Sequence, residues 1–167
     1  LMNAQGRAYL LKDTSNLKAI HQAAFLYSNK KGNRYPFSTD RDARAHDHLN
    51  RLVQSSSGSD LEPKVFTSEV QNEDPATPDE DGKYLLAEEN LSYTWTMEQK
   101  RNTDQGPLSC NKWYKGLEID GEKKTIGHNS VVMMLDTKGS VIELDMIDID
   151  TIEKYEIEDG LPKGLTR

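Results

Sequence analysis

Near the start of the chain, apolar positions recur as a helix requires. Leu10, Leu17, Ile20, Ala24 and Tyr27 follow at spacings of seven, three, four and three, which stacks them on one face. Gln5, Lys12, Asn16 and Lys18 lie off that stripe, so the pattern predicts one amphipathic helix over residues 3 to 29. Asp13, Thr14 and Ser15 soften its middle, with Thr14 a candidate kink point, though the alanines and leucines around them favour helix. Asn29 to Gly32 is the stop, and Pro36 holds the next segment extended. The stripe is narrow, which implies a helix packed on one side and wet on the rest.

Thr39-Asp40 reads as an N-cap for a shorter helix over about 41 to 54, with Ala45, Leu49, Leu52 and Val53 facing inward. Ser55 to Ser59 is a flexible turn, and Pro63-Lys64-Val65-Phe66 reads as extended. Residues 72 to 82, NEDPATPDEDG, combine prolines with acids, the composition of a surface loop that packs no core. Strand patterns follow. Leu91, Tyr93, Trp95 and Met97 alternate onto one face. Val131–Leu135 and Val141–Leu144 flank Asp136-Thr137-Lys138-Gly139, whose glycine suits a left-handed turn position, and this is the clearest hairpin. Asp150-Thr151-Ile152-Glu153 resembles a capped start of a last short helix. Helices come first and strands later, which predicts an α+β domain spanning 1–167 with a sheet over about 90–145.

Composition sharpens this picture. In 167 residues, 35% are hydrophobic and 29% charged, enough for one core with a polar surface and long loops. A net charge of −7, with no Lys/Arg cluster longer than two residues (Lys30-Lys31 and Lys123-Lys124 are isolated pairs), argues against nucleic acid as a partner. The acids gather in residues 72–89 and again in 143–159. Each block reads first as solvated surface, and in the sharper reading as a cation site or a contact for a basic partner.

Catalytic chemistry finds no warrant. The chain contains no Gly-rich phosphate loop, no G-x-S-x-G and no H-E-x-x-H. Cys110 is the single cysteine, which excludes an internal disulfide and a multi-cysteine zinc site. His46 and His48, two apart on a helix, point to different sides, so both read as surface residues, as does His21. A nucleophilic Cys110 would need His128 beside it, and nothing in the sequence brings them together. Trp95, Trp113 and Tyr114 read as packing aromatics rather than a ligand cage.

Several segments together resemble the soluble part of a type II secretion pseudopilin, the kind with a prepilin-type N-terminal cleavage and methylation segment. Asn16-Leu17-Lys18-Ala19-Ile20, continuing through Tyr27 to Gly32-Asn33-Arg34-Tyr35-Pro36, is similar to the family's S-N-L-K-x-I helix followed by N-G-x-Y/F-P. Pro63 to Phe66 is similar to its P-x-V-F segment, though Thr67-Ser68 stand where relatives often carry Cys-Pro. Asn90-Leu91-Ser92-Tyr93 looks like its N-x-S-Y strand. His128 to Asp136, with Gly139 and Val141, resembles its H-x-x-x-x-N-V-L-F-x-D-G-H-V hairpin, with a longer turn and no second histidine.

The resemblance implies a pilin-like fold: a long N-terminal helix on a small antiparallel sheet with long loops. Its motif residues here, Asn16, Leu17, Ile20, Tyr35, Pro36, Phe66, Tyr93, His128, Asp136 and Gly139, would then be structural. It further implies that the helix continues upstream into roughly twenty apolar residues able to cross a bilayer. Leu1 would stand just outside the inner membrane or at the cell surface, and the partners would be other pseudopilins and the secretion machinery. Major members of the family hold calcium after the sheet. Asp145, Asp148 and Asp150 invite the comparison, yet no glycine interrupts them as an EF-hand requires, and their alternation with Met146, Ile147 and Ile149 also suits a strand. The expected function is a non-enzymatic fibre subunit without cofactor. The alternative is a periplasmic or cell-surface binding module on the same fold, using the 72–89 loop with Trp113-Tyr114.

Overall fold

A computed structural model describes residues 3–71, 73–98, 101, 104–127 and 129–167, and within them the fold is α+β. Helix α1 (Ala4–Asn29) opens on Asn3, whose side chain accepts the Gly6 N–H at 2.8 Å. It runs without interruption through Thr14, whose hydroxyl donates to the Leu10 carbonyl at 2.9 Å within the helix. The helix ends where expected, with Gly32 and Asn33 in the left-handed region and the Asn33 N–H returning to the Ser28 carbonyl.

Helix α2 (Ala45–Val53) begins later than the sequence pattern implies. Thr39-Asp40 does not cap it. Instead the Asp47 carboxylate accepts the Arg44 N–H at 2.8 Å. Its inward residues are those expected, Ala45, Leu49, Leu52 and Val53, joined by His48. Pro63–Phe66 is a 3₁₀ turn rather than an extended segment, proline being well suited to its first position.

The central sheet is antiparallel, in the order β2 (Pro107–Cys110), β5 (Val131–Asp136), β6 (Val141–Asp145). The β5–β6 hairpin pairs Val131 with Asp145 through Leu135 with Val141, as the alternation and Gly139 predict. Strand β1 (Trp95–Thr96) reaches β2 through the bridge Tyr93–Asn111 and pairs on its other side with β7 (Leu165–Thr166), so the β-structure extends beyond residue 145. Strands β3 (Glu118–Ile119) and β4 (Glu122–Lys123) form a separate small hairpin. The strand expected from Leu91 to Met97 is much shorter, and its alternation fails: Leu91 to Thr96 are all buried while Met97 is exposed. A segment covered on both faces no longer alternates.

Both faces of the sheet are covered. One core joins Leu10, Leu17, Ile20 and Ala24 of α1 to α2, Phe66, Tyr93, Trp95, Met133 and Leu135. The other lies on the opposite face, where Val132, Met134 and Leu144 meet Cys110, Tyr114, Leu117, Met146 and Leu165. The acidic loop is not wholly peripheral, since Ala76 and Leu86 enter the first core. Helix α3 (Ile149–Tyr155) is capped by Asp148, which accepts the Thr151 N–H at 3.0 Å, two residues before the expected cap. That helix also removes Ile149 from any strand.

The seam between α1 and the sheet is a large part of the first core. Leu17→Ala there should cost about 2–5 kcal/mol, through lost burial and the cavity left behind. Leu11→Ala on the outer face, where Leu11 is 64% exposed, should change stability by less than about 0.5 kcal/mol. Urea denaturation of the two variants measures the contrast.

Candidate functional site

Asp13 sits on the buried face of α1, between Leu10 and Leu17, with its carboxylate turned into the first core. Oδ1 accepts the Tyr93 hydroxyl at 2.6 Å and Oδ2 accepts the Asn111 amide at 3.0 Å. Asn111 Oδ1 in turn accepts the Met133 N–H of β5 at 2.9 Å. From the helix side, the Asn16 amide donates to the Tyr93 hydroxyl at 3.0 Å and to the Thr67 carbonyl at 3.1 Å. Five segments meet in this knot. Ser68 Oγ adjoins the carboxylate outside hydrogen-bonding geometry and is buried without a partner, while the Ser68 N–H donates to Ser92 Oγ at 2.8 Å. Burial raises the Asp13 pKa above the ordinary carboxylate value, outweighing the opposing hydrogen bonds from Tyr93 and Asn111.

A second junction lies where the end of α1 meets the β5–β6 turn. The Tyr35 hydroxyl donates to the Thr137 carbonyl at 2.8 Å and stands 3.4 Å from His21 Nε2. The Tyr35 ring meets Trp95 edge-on, and the Trp95 indole N–H donates to the Pro36 carbonyl at 2.9 Å. Asp136 is buried, and its Oδ1 accepts the N–H groups of Lys138 and Ser140 at 2.8 and 3.0 Å, which closes the turn. Gly139 has φ +89°, and a Cβ there would stand 2.6 Å from the His21 ring. His21 is therefore half-buried under the turn, not exposed, and burial lowers its pKa.

The motif residues singled out in the sequence thus divide between two structural junctions. Asn16 and Tyr93 belong to the Asp13 knot. Tyr35, Pro36, Asp136 and Gly139 build the turn junction, and Leu17, Ile20 and Phe66 are buried in the first core. His128 lies outside the described residues, so its approach to Cys110 is not defined. Cys110 itself is buried, with its thiol pushed up to about 11 by burial, which disfavours the thiolate a nucleophile needs. His48 is not a surface residue: it stacks on Phe37, and Nδ1 accepts the Ser38 N–H at 2.9 Å.

Asp145, Asp148 and Asp150 do not converge. Asp145 accepts from the Ser130 hydroxyl at 2.8 Å, Asp148 caps α3, and among the described residues no three metal-ligating side chains gather. The aromatic pair offers little to a ligand. Tyr114 is buried, and the Trp113 ring is faced by Lys124 Nζ at 4.6 Å and the Arg167 guanidinium at 5.1 Å. A cleft of about 630 Å³ lies between the end of α2 and the acidic loop, lined by Val53, Thr77, Asp79, Lys83 and Leu85. Asp79 Oδ1 is already engaged there by the N–H groups of Asp81 and Lys83.

Asp13 escaped the sequence reading, although its spacing of three after Leu10 and four before Leu17 places it squarely on the apolar stripe. Asn111 carried no comparable signal. No helix among the described residues is long and apolar enough to cross a membrane. Comparison with family models, curated proteins and solved structures finds no match.

Because folding raises the Asp13 pKa, the folded state holds that proton more tightly than the unfolded chain. Its contribution to stability is therefore full below the unfolded value, about 3.9, and is lost as pH rises through the folded one. Asp13→Asn removes the titration. The stability of the native protein relative to this variant should decline from acid toward neutral pH in urea melts, and parallel curves would contradict the burial argument. At the second junction, Gly139→Ala should cost about 1–3 kcal/mol from backbone strain and the clash with His21, with part of the loss recovered when His21→Ala accompanies it.

Proposed function

We propose that this chain is the globular head of a non-enzymatic fibre subunit, pilin-like in fold and similar to a type II secretion pseudopilin. The observation that carries the reading is the two-sidedness of α1. One stripe is sealed in the core, so Leu10, Leu17 and Ala24 form a seam and not an interface. The opposite stripe, Ala4, Ala8, Leu11, Ser15, Lys18, Gln22, Phe25 and Asn29, repeats at alternating spacings of four and three and is exposed along its whole length. Leu26 flanks it, 54% exposed. Ala4, Ala8, Leu11 and Phe25, interleaved with Ser15, Lys18, Gln22 and Asn29 at that period, suit lengthwise contact with a neighbouring helix.

In this reading α1 is the outward part of a membrane-held stalk, and the head stands on the periplasmic face of the inner membrane or at the cell surface. Its partners are other pseudopilin subunits and the secretion machinery, and it carries out no reaction and uses no cofactor. Drive for assembly would come from apolar burial between stalks, at about 25 cal/mol per Å². Heads carrying a net charge of −7 repel one another, so the isolated head should stay monomeric unless a basic surface answers it. A ligand-binding role draws less support, since Asp79 Oδ1 in the cleft by α2 is engaged by backbone N–H groups and the Trp113 ring is already faced by cations.

Cysteine cross-linking in cells that make the intact gene product tests the reading. Leu11→Cys, on the outer stripe, should give disulfide-linked oligomers, whereas Lys64→Cys, on the 3₁₀ turn, should not. Buried Cys110 leaves the background low. Monomer alone from Leu11→Cys would overturn the assignment.

A further inference from the structure

The outer strand of the central sheet, β6, is an edge with a built-in preference for its occupant. In the β5–β6 ladder the Asp136 N–H donates to the Ser140 carbonyl and the Met146 N–H to the Ser130 carbonyl, each at 2.9 Å. Hydrogen-bonded pairs alternate in an antiparallel ladder, so the even positions of β6 bond to β5 and the odd ones face outward. The Asp145 carbonyl is taken by the Asp148 N–H. The N–H and C=O of Glu143 and the N–H of Asp145 point outward, and among the described residues no strand lies beyond them.

Side chains along this edge sort by face. Glu143 and Asp145 are exposed on the face toward α1, where Glu143 pairs with Arg7 at 3.0 Å across the surface. Ile142 is 37% exposed on the opposite face, followed beyond the strand by exposed Ile147 and Ile149. Asp148, Asp150 and Glu153, all exposed, extend the negative field past the strand end.

We propose that β6 is a docking edge for an extended segment of a partner protein in which basic and aliphatic residues alternate. Added as a strand, such a segment would satisfy the outward backbone groups. Its basic residues would lie opposite Glu143 and Asp145, and its aliphatic ones would fall on the face of Ile142 and Leu144. The same charges exclude a second copy of this chain: two β6 strands pairing about Glu143 would set that carboxylate opposite itself, which destabilises a cross-strand pair. Charge thus closes the edge to self-association and opens it to a basic strand. The inference is independent of the fibre reading, because it uses none of the residues of the exposed stripe of α1; Arg7, which pairs with Glu143, lies off that stripe.

Backbone amide exchange with a short capped peptide alternating lysine and valine tests it, against a peptide alternating glutamate and valine. The basic peptide should slow exchange at Glu143 and Asp145 by about tenfold or more while leaving Ile142 and Leu144, already bonded to β5, unchanged. Glu143→Lys should weaken the peptide by about tenfold without lowering the melting temperature appreciably, and added salt should weaken it in the native protein. No protection at the odd positions would overturn the proposal, as would equal protection by the acidic peptide. Concentration-dependent protection without any peptide would also overturn it, by making a second copy the occupant.

Discussion

A buried carboxylate in the seam between a helix and a sheet restricts how the two can sit. Apolar side chains alone would let α1 slide or turn by small amounts on its sheet, because burial is non-directional. Hydrogen bonds are directional, and a buried polar group left without partners costs about 1–3 kcal/mol. Asp13 meets Tyr93 and Asn111 together in the observed placement of the helix, and Asn111 Oδ1 ties that placement to β5 through the Met133 N–H. The knot selects a register, and it does so at a cost, since burial works against the charged form of the carboxyl.

With that register set, the rest of the molecule follows. The end of α1 arrives beside the β5–β6 turn, where Gly139 leaves room for the His21 ring and Tyr35 reaches the Thr137 carbonyl. The sheet receives α1 and α2 on one face and Tyr114, Leu117, Met146 and Leu165 on the other. Among the described residues, the outer stripe of α1 and the edge of β6 are both largely exposed. They differ in chemistry. The helix stripe mixes small, apolar and polar side chains along its length, whereas the strand edge is acidic and offers backbone groups. The proposed fibre role uses the first and the proposed docking edge the second, so a head could hold its place in an assembly and still engage another protein.

Much of this was legible in the residues, for reasons that differ by element. Helix α1 and the β5–β6 hairpin follow from local periodicity and from one glycine at a left-handed position, information contained within each segment. The start of α2 was misplaced because Thr39-Asp40 has the composition of a cap, while Asp47 supplies the capping bond from inside the helix. The Leu91–Met97 strand was overextended because alternation was expected of a segment that tertiary packing buries on both faces. His21 and His48 read as surface residues when judged by polarity, but each fills space beneath a specific neighbour, the β5–β6 turn and Phe37. The Asp13 knot was half-visible: its place on the apolar stripe was there to be read, whereas Asn111, nearly a hundred residues away, could be joined to it only by the folded chain.

The central claim is that a hydrogen-bonded knot, and not apolar contact alone, fixes α1 on the sheet. A double-mutant cycle on Asp13→Asn and Tyr93→Phe, read by urea denaturation at a pH where Asp13 is ionised, tests it directly. The account predicts a coupling energy of about 0.5–3 kcal/mol between the two positions. Additivity within about 0.5 kcal/mol would mean that the two side chains act independently, and would contradict it.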